Sequence, residues 1–86
     1  MPYRVELSPA ARRALGKLDA ATRERILRGL IILESNPRPS GAKKLKGEEG
    51  YRFRVGDYRV LYEVRDDRLV VLVIKVGHRR DVYRRR

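Results

Sequence analysis

Four arginines and one tyrosine in the second half of the chain have a spacing that can gather their side chains at one site. Arg52 and Arg54 alternate with apolar neighbours, so a strand here would place both guanidinium groups on one face. Arg59 begins the next predicted strand, while Arg79 and Tyr83 follow the end of the last one. Guanidinium groups hold phosphates bidentately and stack on bases, so these side chains on an open sheet are typical of an RNA site.

Other polar residues near these arginines are weaker candidates. His78, the single histidine, is of a type that is more often structural, but its position among the arginines makes it a candidate acid or base. Lys43, Lys44 and Lys46 lie in a basic segment that we expect to attract RNA through long-range charge. Arg80 is a further candidate for RNA binding.

A solvated sheet face is the simpler explanation for any one of these arginines, because charged residues usually occupy exposed strand positions. The group fits that explanation less well, since few acidic residues are interleaved and uncompensated like charges on neighbouring strands are destabilising. Tyr83 has its own alternative, as a core aromatic that anchors the end of the chain. The arginines favour a binding site, and the role of Tyr83 stays open between chemistry and packing.

The composition indicates a polyanionic partner. The 86 residues include 22 Lys and Arg against 11 Asp and Glu, which gives a formal net charge of +11. Nucleic acid, an anionic membrane surface and an acidic protein all fit such a charge, and nucleic acid is favoured. With no Cys and one His, disulfide scaffolds, thiolate zinc sites and histidine metal cages are excluded, and we expect no cofactor.

The chain lacks the apolar segments that a membrane protein needs. Its longest apolar run, residues 69–74, has six residues, whereas a transmembrane helix needs about 20. The first residues form no apolar signal core, so we expect a cytoplasmic protein with no membrane partner.

The first half of the chain predicts one strand and two helices. Alternation over residues 3–7 indicates a strand, and Ser8 followed by Pro9 is typical of a helix start. Asp19 can cap a second helix after a break of one or two residues. This helix must end by Asn36, because closely spaced prolines follow.

The second half predicts a loop and three strands. Residues 40–50 read as a basic, glycine-containing loop, and period-two patterns then predict strands at 51–55, 58–65 and 69–76. Gly77 should end the last strand, with a short helical turn from His78. The order is β-α-α-β-β-β in a single α+β domain, residues 1–86, with an antiparallel sheet covered on one face by a helical hairpin. If the helices cover the side of Phe53, the arginines lie on the open face.

Four segments along this half carry a characteristic order and spacing of residues. They are Lys44-Leu45-Lys46-Gly47, Tyr51-Arg52-Phe53-Arg54, Gly56-Asp57-Tyr58-Arg59-Val60-Leu61-Tyr62 and Val76-Gly77-His78-Arg79-Arg80-Asp81-Val82-Tyr83. Together with the opening strand and the Ser8-Pro9 helix start, they make nearly the whole chain resemble the RelE branch of the RelE/ParE toxins.

The resemblance implies the toxin of a type II toxin–antitoxin pair, with a RelE-like fold related to microbial ribonucleases. Such toxins enter the A site of the 70S ribosome, contact its RNA and cut the mRNA by 2′-hydroxyl attack, without a metal. The implied partners are a cognate antitoxin, the ribosome and mRNA, and the free toxin is expected to be a monomer. The implied catalytic residues are Arg52 and Arg54 as the basic pair, Arg59 and Arg79 for the phosphate, and Tyr83.

One departure from the family pattern affects the chemistry. The best-known RelE toxins carry lysines where this chain has Arg52 and Arg54. Arginine stays protonated, so these side chains can stabilise charge but are poor bases. Tyr83 or His78 then becomes the leading candidate for proton transfer.

Two other functions compete with the ribonuclease. A ParE-like protein shares the fold but poisons DNA gyrase, and it has no need for clustered Arg and Tyr side chains. A non-catalytic basic RNA-binding protein would explain the charge without any cleavage.

Overall fold

Two helices lie on one face of a five-stranded sheet in the computed structural model of the protein, which describes residues 2–45 and 50–78. The elements in chain order are β1 (Arg4–Leu7), α1 (Pro9–Gly16), α2 (Ala20–Ser35), β2 (Ala42–Lys44), β3 (Tyr51–Val55), β4 (Tyr58–Arg65) and β5 (Val70–His78). The strand order across the sheet is β1-β5-β4-β3-β2. The predicted α+β class with a helical hairpin on one face is confirmed.

Both helices begin at the predicted caps. The Ser8 Oγ accepts a hydrogen bond from the Ala11 amide, and the Asp19 carboxylate accepts one from the Thr22 amide. The break between the helices is residues 17–19, one residue longer than expected. Arg23 of α2 reaches back and donates to the backbone carbonyl oxygens of Leu15, in α1, and Leu18, in the break. The Leu15 carbonyl also accepts from the Leu18 amide, so the arginine adds a second hydrogen bond where α1 ends.

The sheet differs from the prediction in one pairing and one additional strand. β3, β4 and β5 form the predicted antiparallel meander, whereas β1 pairs with β5 in parallel, so the sheet is mixed. Residues 40–50 were expected to form a loop, but Ala42–Lys44 is a strand that pairs antiparallel with β3. A three-residue edge strand with two lysines carries no alternating apolar signal, and lysine is a common residue on sheet edges.

The last strand is longer than predicted. β5 continues through Gly77 to His78, which stands opposite Tyr58 in the register with β4. Pairing with β4 satisfies the backbone of these two residues, so the strand outweighs the local effect of glycine. The rest of the expected helical turn lies outside the described residues.

The core lies between the helices and the face of the sheet that carries Phe53. Ile26 and Leu33 of α2 and Val60 and Tyr62 of β4 are almost fully buried there. A Cβ atom on Gly29 of α2 would stand 3.0 Å from the Phe53 ring, so glycine permits the close approach of helix and sheet. Within the described residues no helix covers the opposite face, as predicted, and no helix is long and apolar enough to cross a membrane.

Candidate functional site

β3 and β4 bring three arginines together on the open face of the sheet. Arg54 stands directly opposite Arg59 in the antiparallel register, and Arg52 shares their face two residues earlier on β3. Gly56 has a φ of 59°, which permits the tight two-residue turn joining these strands. Directly opposed residues have Cβ atoms about 4.5–5.5 Å apart, so the guanidinium groups share one small region.

The edge strand adds a lysine to this region. Lys43 of β2 stands opposite Arg52 in the register. Together with Gly41 and the three arginines, it lines a shallow depression of about 380 Å³. Lys43, Arg52, Arg54 and Arg59 are called the basic cluster below.

The basic cluster concentrates positive charge within the depression. Its four side chains are cationic, and no carboxylate is among the described residues that line the depression. Arg54 and Lys43 are exposed, whereas Arg52 and Arg59 are half-buried. Partial burial beside the sheet lowers the local dielectric and strengthens the attraction for an anion. The arrangement can therefore hold a phosphodiester and stabilise the negative charge that builds up when it reacts.

The structure does not bring His78 to the basic cluster. Because β5 continues through Gly77, His78 shares the face of Val76, whose side chain is buried. The His78 ring lies edge-on to Tyr58, with the two centroids 5.8 Å apart. His78 therefore does not share the face of Arg52, Arg54 and Arg59, and the catalytic role expected of it stays a prediction.

The remaining candidates divide into one that faces elsewhere and four that are not described. Lys44 stands opposite Tyr51 and lines a different depression, beside Arg38 and Glu63. The others lie outside the described residues, and the roles expected of them stay predictions. They are Lys46, Arg79, Arg80 and Tyr83.

A polar network that the sequence did not indicate fixes the segment leading into β2. Arg38 donates two hydrogen bonds to the Asp66 carboxylate, at 3.3 and 2.8 Å, and a third to the Tyr51 hydroxyl at 2.9 Å. The Tyr3 hydroxyl donates to Asp66 at 2.6 Å. The hydrogen bonds from Arg38 and Tyr3 lower the pKa of Asp66, and the bond to Asp66 raises the pKa of Tyr3. The partners are distant along the chain, so no local pattern could reveal them.

The same segment is anchored on the core side. The hydroxyl of Tyr62 donates to the Pro37 carbonyl at 2.7 Å, and the Tyr62 ring stacks on Tyr51 with centroids 5.6 Å apart. Burial raises the pKa of Tyr62 to about 12, so its proton stays available for this bond. The segment between α2 and β2 is thus held immediately before Gly41, the first residue that lines the depression.

The chain is similar to known toxins along nearly its whole length. A family profile described as "ParE toxin of type II toxin-antitoxin system, parDE" matches residues 5–83. "Toxin RelG" from Mycobacterium tuberculosis is 38% identical over 92 residues, which cover 99% of this chain and 100% of that protein. The "mRNA interferase toxin RelE" of Escherichia coli is 33% identical over 82 residues, covering 92% and 85%.

Solved structures of toxin–antitoxin complexes share the fold. The RelBE2 complex from Mycobacterium tuberculosis contains a chain that matches with a TM-score of 0.82 at 30% identity, covering 92% of this chain and 93% of that one. A chain of the archaeal RelE-RelB complex from Pyrococcus horikoshii matches with a TM-score of 0.78 at 34% identity, covering 92% and 97%. Sequence and fold therefore agree over more than nine tenths of this chain.

Proposed function

Because the chain belongs to the RelE branch of the RelE/ParE toxin superfamily, we propose that it is a ribosome-dependent endoribonuclease that cuts mRNA in the A site and stops translation. The chain is a toxin of a type II toxin–antitoxin system, and its relative from Escherichia coli is named an mRNA interferase. The observation that carries the proposal is the basic cluster in its depression on the open face of the sheet.

The proposed reaction is attack of a ribose 2′-hydroxyl on the adjacent phosphorus. The transition state carries extra negative charge on the phosphate oxygens, and fixed cations stabilise that charge more than the charge of the bound substrate. Arg54 and Arg59 face each other across the turn and can hold two oxygens of one phosphate. Arg52 lies in the same depression and stands opposite Lys43.

The proposed dependence on the ribosome is supported by what the described residues of the basic cluster supply. The cluster supplies charge but no flat aromatic surface that would fix a nucleotide, among the residues lining the depression. A flexible mRNA has to be oriented before the 2′-oxygen can approach the phosphorus in line. Placement in the A site would supply that orientation as effective molarity. The same proposal puts the toxin in the cytoplasm, where it meets translating ribosomes.

A cognate antitoxin is the second proposed partner. Solved structures of relatives include complexes of RelE with the antitoxin RelB. A protein with a net charge of +11 needs a partner that covers its basic surface, and an acidic segment would do so. Binding of such an antitoxin should weaken as salt rises.

The experiment uses bacterial 70S ribosomes programmed with end-labelled mRNA that places one defined codon in the A site. We expect the wild-type protein to cut the message within that codon and to leave the same RNA intact without ribosomes. Because the matching family profile is described as a ParE toxin, a parallel reaction contains DNA gyrase and supercoiled plasmid. Gyrase-dependent DNA breaks without mRNA cleavage would establish the competing function, and tight RNA binding without any cleavage would establish a non-catalytic protein.

A further inference from the structure

The basic cluster contains one amine among guanidinium groups. Of the described side chains that line the depression, Lys43 alone ends in a primary amine, and the other cations are arginines. We propose that Lys43 is the general base that accepts the proton of the attacking 2′-hydroxyl. This assignment rests on the ribonuclease function proposed above.

The register of the edge strand places Lys43 within the site. Lys43 pairs with Arg52 across the β2–β3 ladder, so their Cβ atoms are about 4.5–5.5 Å apart on the open face. The next residue, Lys44, pairs with Tyr51 and lies on the other side of the strand. Only one of the two β2 lysines therefore faces the phosphate that the arginines would hold.

The charged groups facing Lys43 come from two strands. Arg52 and Arg54 of β3 and Arg59 of β4 share the depression with it, and both helices lie against the opposite face of the sheet. No carboxylate is among the described residues lining the depression, so no acidic side chain there competes for the proton. A phosphate held by the arginines would bring the adjacent ribose close to the amine of Lys43.

The chemistry requires a group that can exist without its proton. Arginine cannot be deprotonated in proteins, whereas lysine can lose its proton and act as a base. His78, the described residue best suited to this task by type, lies on the other face of the sheet. Among the described side chains of the depression, Lys43 therefore has the chemistry that the arginines lack.

The proposed step balances as follows. The neutral amine of Lys43 takes the 2′-hydroxyl proton while the 2′-oxygen forms a bond to phosphorus. The bond between phosphorus and the 5′-oxygen breaks, and the 5′-oxygen leaves with the electron pair and takes a proton from water. The products are a 2′,3′-cyclic phosphate and a 5′-hydroxyl end. The ammonium group of Lys43 then releases its proton to the hydroxide left by that water.

The test separates the charge of Lys43 from its proton transfer. Lys43→Arg keeps the positive charge and removes the base, and Lys75→Arg is the matched control. Lys75 is an exposed lysine that stands opposite Leu61 on the same face of the sheet but outside the depression. The readout is the single-turnover rate of cleavage on programmed ribosomes at saturating toxin between about pH 6 and 9, a span around neutrality suited to acid–base catalysis.

We expect Lys43→Arg to cleave about 10²-fold more slowly or worse, the usual contribution of a general base. The wild-type rate should rise with pH, because only the neutral amine acts, and the Lys43→Arg rate should not. Lys75→Arg should match the wild type. In Lys43→Ala, added ethylamine should restore cleavage in proportion to its concentration, which a structural defect would not allow.

Two outcomes overturn the assignment. Lys43→Arg that cleaves at the wild-type rate, or that slows while keeping the wild-type pH dependence, shows that Lys43 supplies charge only, and the ribonuclease function then stands without it. A wild-type protein that cuts no mRNA on ribosomes overturns the proposed function, and the assignment of Lys43 with it.

Discussion

The arginines at the two ends of the open face of the sheet have different neighbouring side chains. At the end beside the Gly56 turn, the described residues that line the depression are Gly41 and four basic residues. At the opposite end, arginines lie beside acidic partners, as in the Arg4–Glu6 and Arg65–Glu63 ion pairs. Within residues 2–45 and 50–78, these ion pairs lie at the end of the open face away from the Gly56 turn.

The difference between the two ends predicts which arginines contribute to binding a ligand. Exposed ion pairs such as Arg4–Glu6 contribute about 0–1 kcal/mol, and they neutralise charge locally. Arg54 and Arg59 stand directly opposite each other, and a bound anion would offset the repulsion between like charges on opposed strands. Removing an arginine of the basic cluster should lower the rate of cleavage strongly. Removing one at the end with the ion pairs, which we call the neutralised end, should change that rate little.

The largest expected effect comes from removing one arginine from each end. Arg54 and Arg65 are both exposed and lie on the same face, so their alanine variants form a matched pair. Arg54→Ala should lower the rate of ribosome-dependent cleavage by about 10²-fold, as the loss of one transition-state donor typically does. Arg65→Ala should stay within a few-fold of the wild type. Equal losses in the two variants would remove the distinction between the ends.

The salt dependence of RNA binding sharpens the same comparison. Each phosphate that a protein contacts contributes about 0.7 to the slope of log affinity against log salt for single strands. Arg54→Ala should therefore lower that slope by about one contact, and Arg65→Ala should change it by less. Affinity for a single-stranded RNA oligonucleotide, titrated at several salt concentrations, gives both slopes. Identical slopes in all three proteins would mean that Arg54 does not contact phosphate.

The smallest expected effect concerns the contribution of Asp66 to the stability of the folded protein. The pKa of Asp66 is lowered in the folded state, mainly by its bond to Arg38, so the folded protein binds this proton less readily than the unfolded chain. The resulting stabilisation is present above the ordinary aspartate pKa and is lost as pH falls through the lower folded value. Asp66→Asn should melt a few degrees lower at pH 7 and lose less stability on acidification than the wild type.

Two variants serve as controls for this measurement by thermal melting followed by circular dichroism. Asp67→Asn changes the neighbouring aspartate in the same turn, outside the Arg38 network, and should melt like the wild type at pH 7. Arg54→Ala, in the basic cluster, should melt no lower than the wild type, because a like charge has been removed. An Asp66→Asn profile that parallels the wild type at all pH values would show that the network adds no stability.

The sequence predicted the features that depend on local pattern. Ser8 and Asp19 cap helices because short polar side chains satisfy free amides, and that chemistry depends on neighbouring residues only. The shared face of Arg52 and Arg54 follows from strand alternation alone. These predictions were correct because each feature depends on residues that are neighbours in the sequence.

The features that the sequence did not predict depend on distant partners. β2 forms because it pairs with β3 in an antiparallel ladder, whereas its own three residues show no strand pattern. His78 pairs with Tyr58, and this pairing determines which face of the sheet His78 lies on. The same pairing extends β5 beyond Gly77, where the strand was expected to end. Arg38 and Asp66 stand 28 residues apart. Lys43 was expected in a loop, and it joins the basic cluster because β2 pairs with β3.

The most direct test of the account is cleavage of a message in which a single nucleotide lacks its 2′-hydroxyl. Programmed ribosomes would carry an A-site codon with 2′-deoxyribose on the 5′ side of the mapped cut, and the otherwise identical all-ribose message would serve as the reference. If the basic cluster stabilises attack by that hydroxyl, the wild-type toxin should bind both complexes equally and cut only the all-ribose message at this position. Cleavage of the deoxy-substituted message at the same bond and rate would contradict the account.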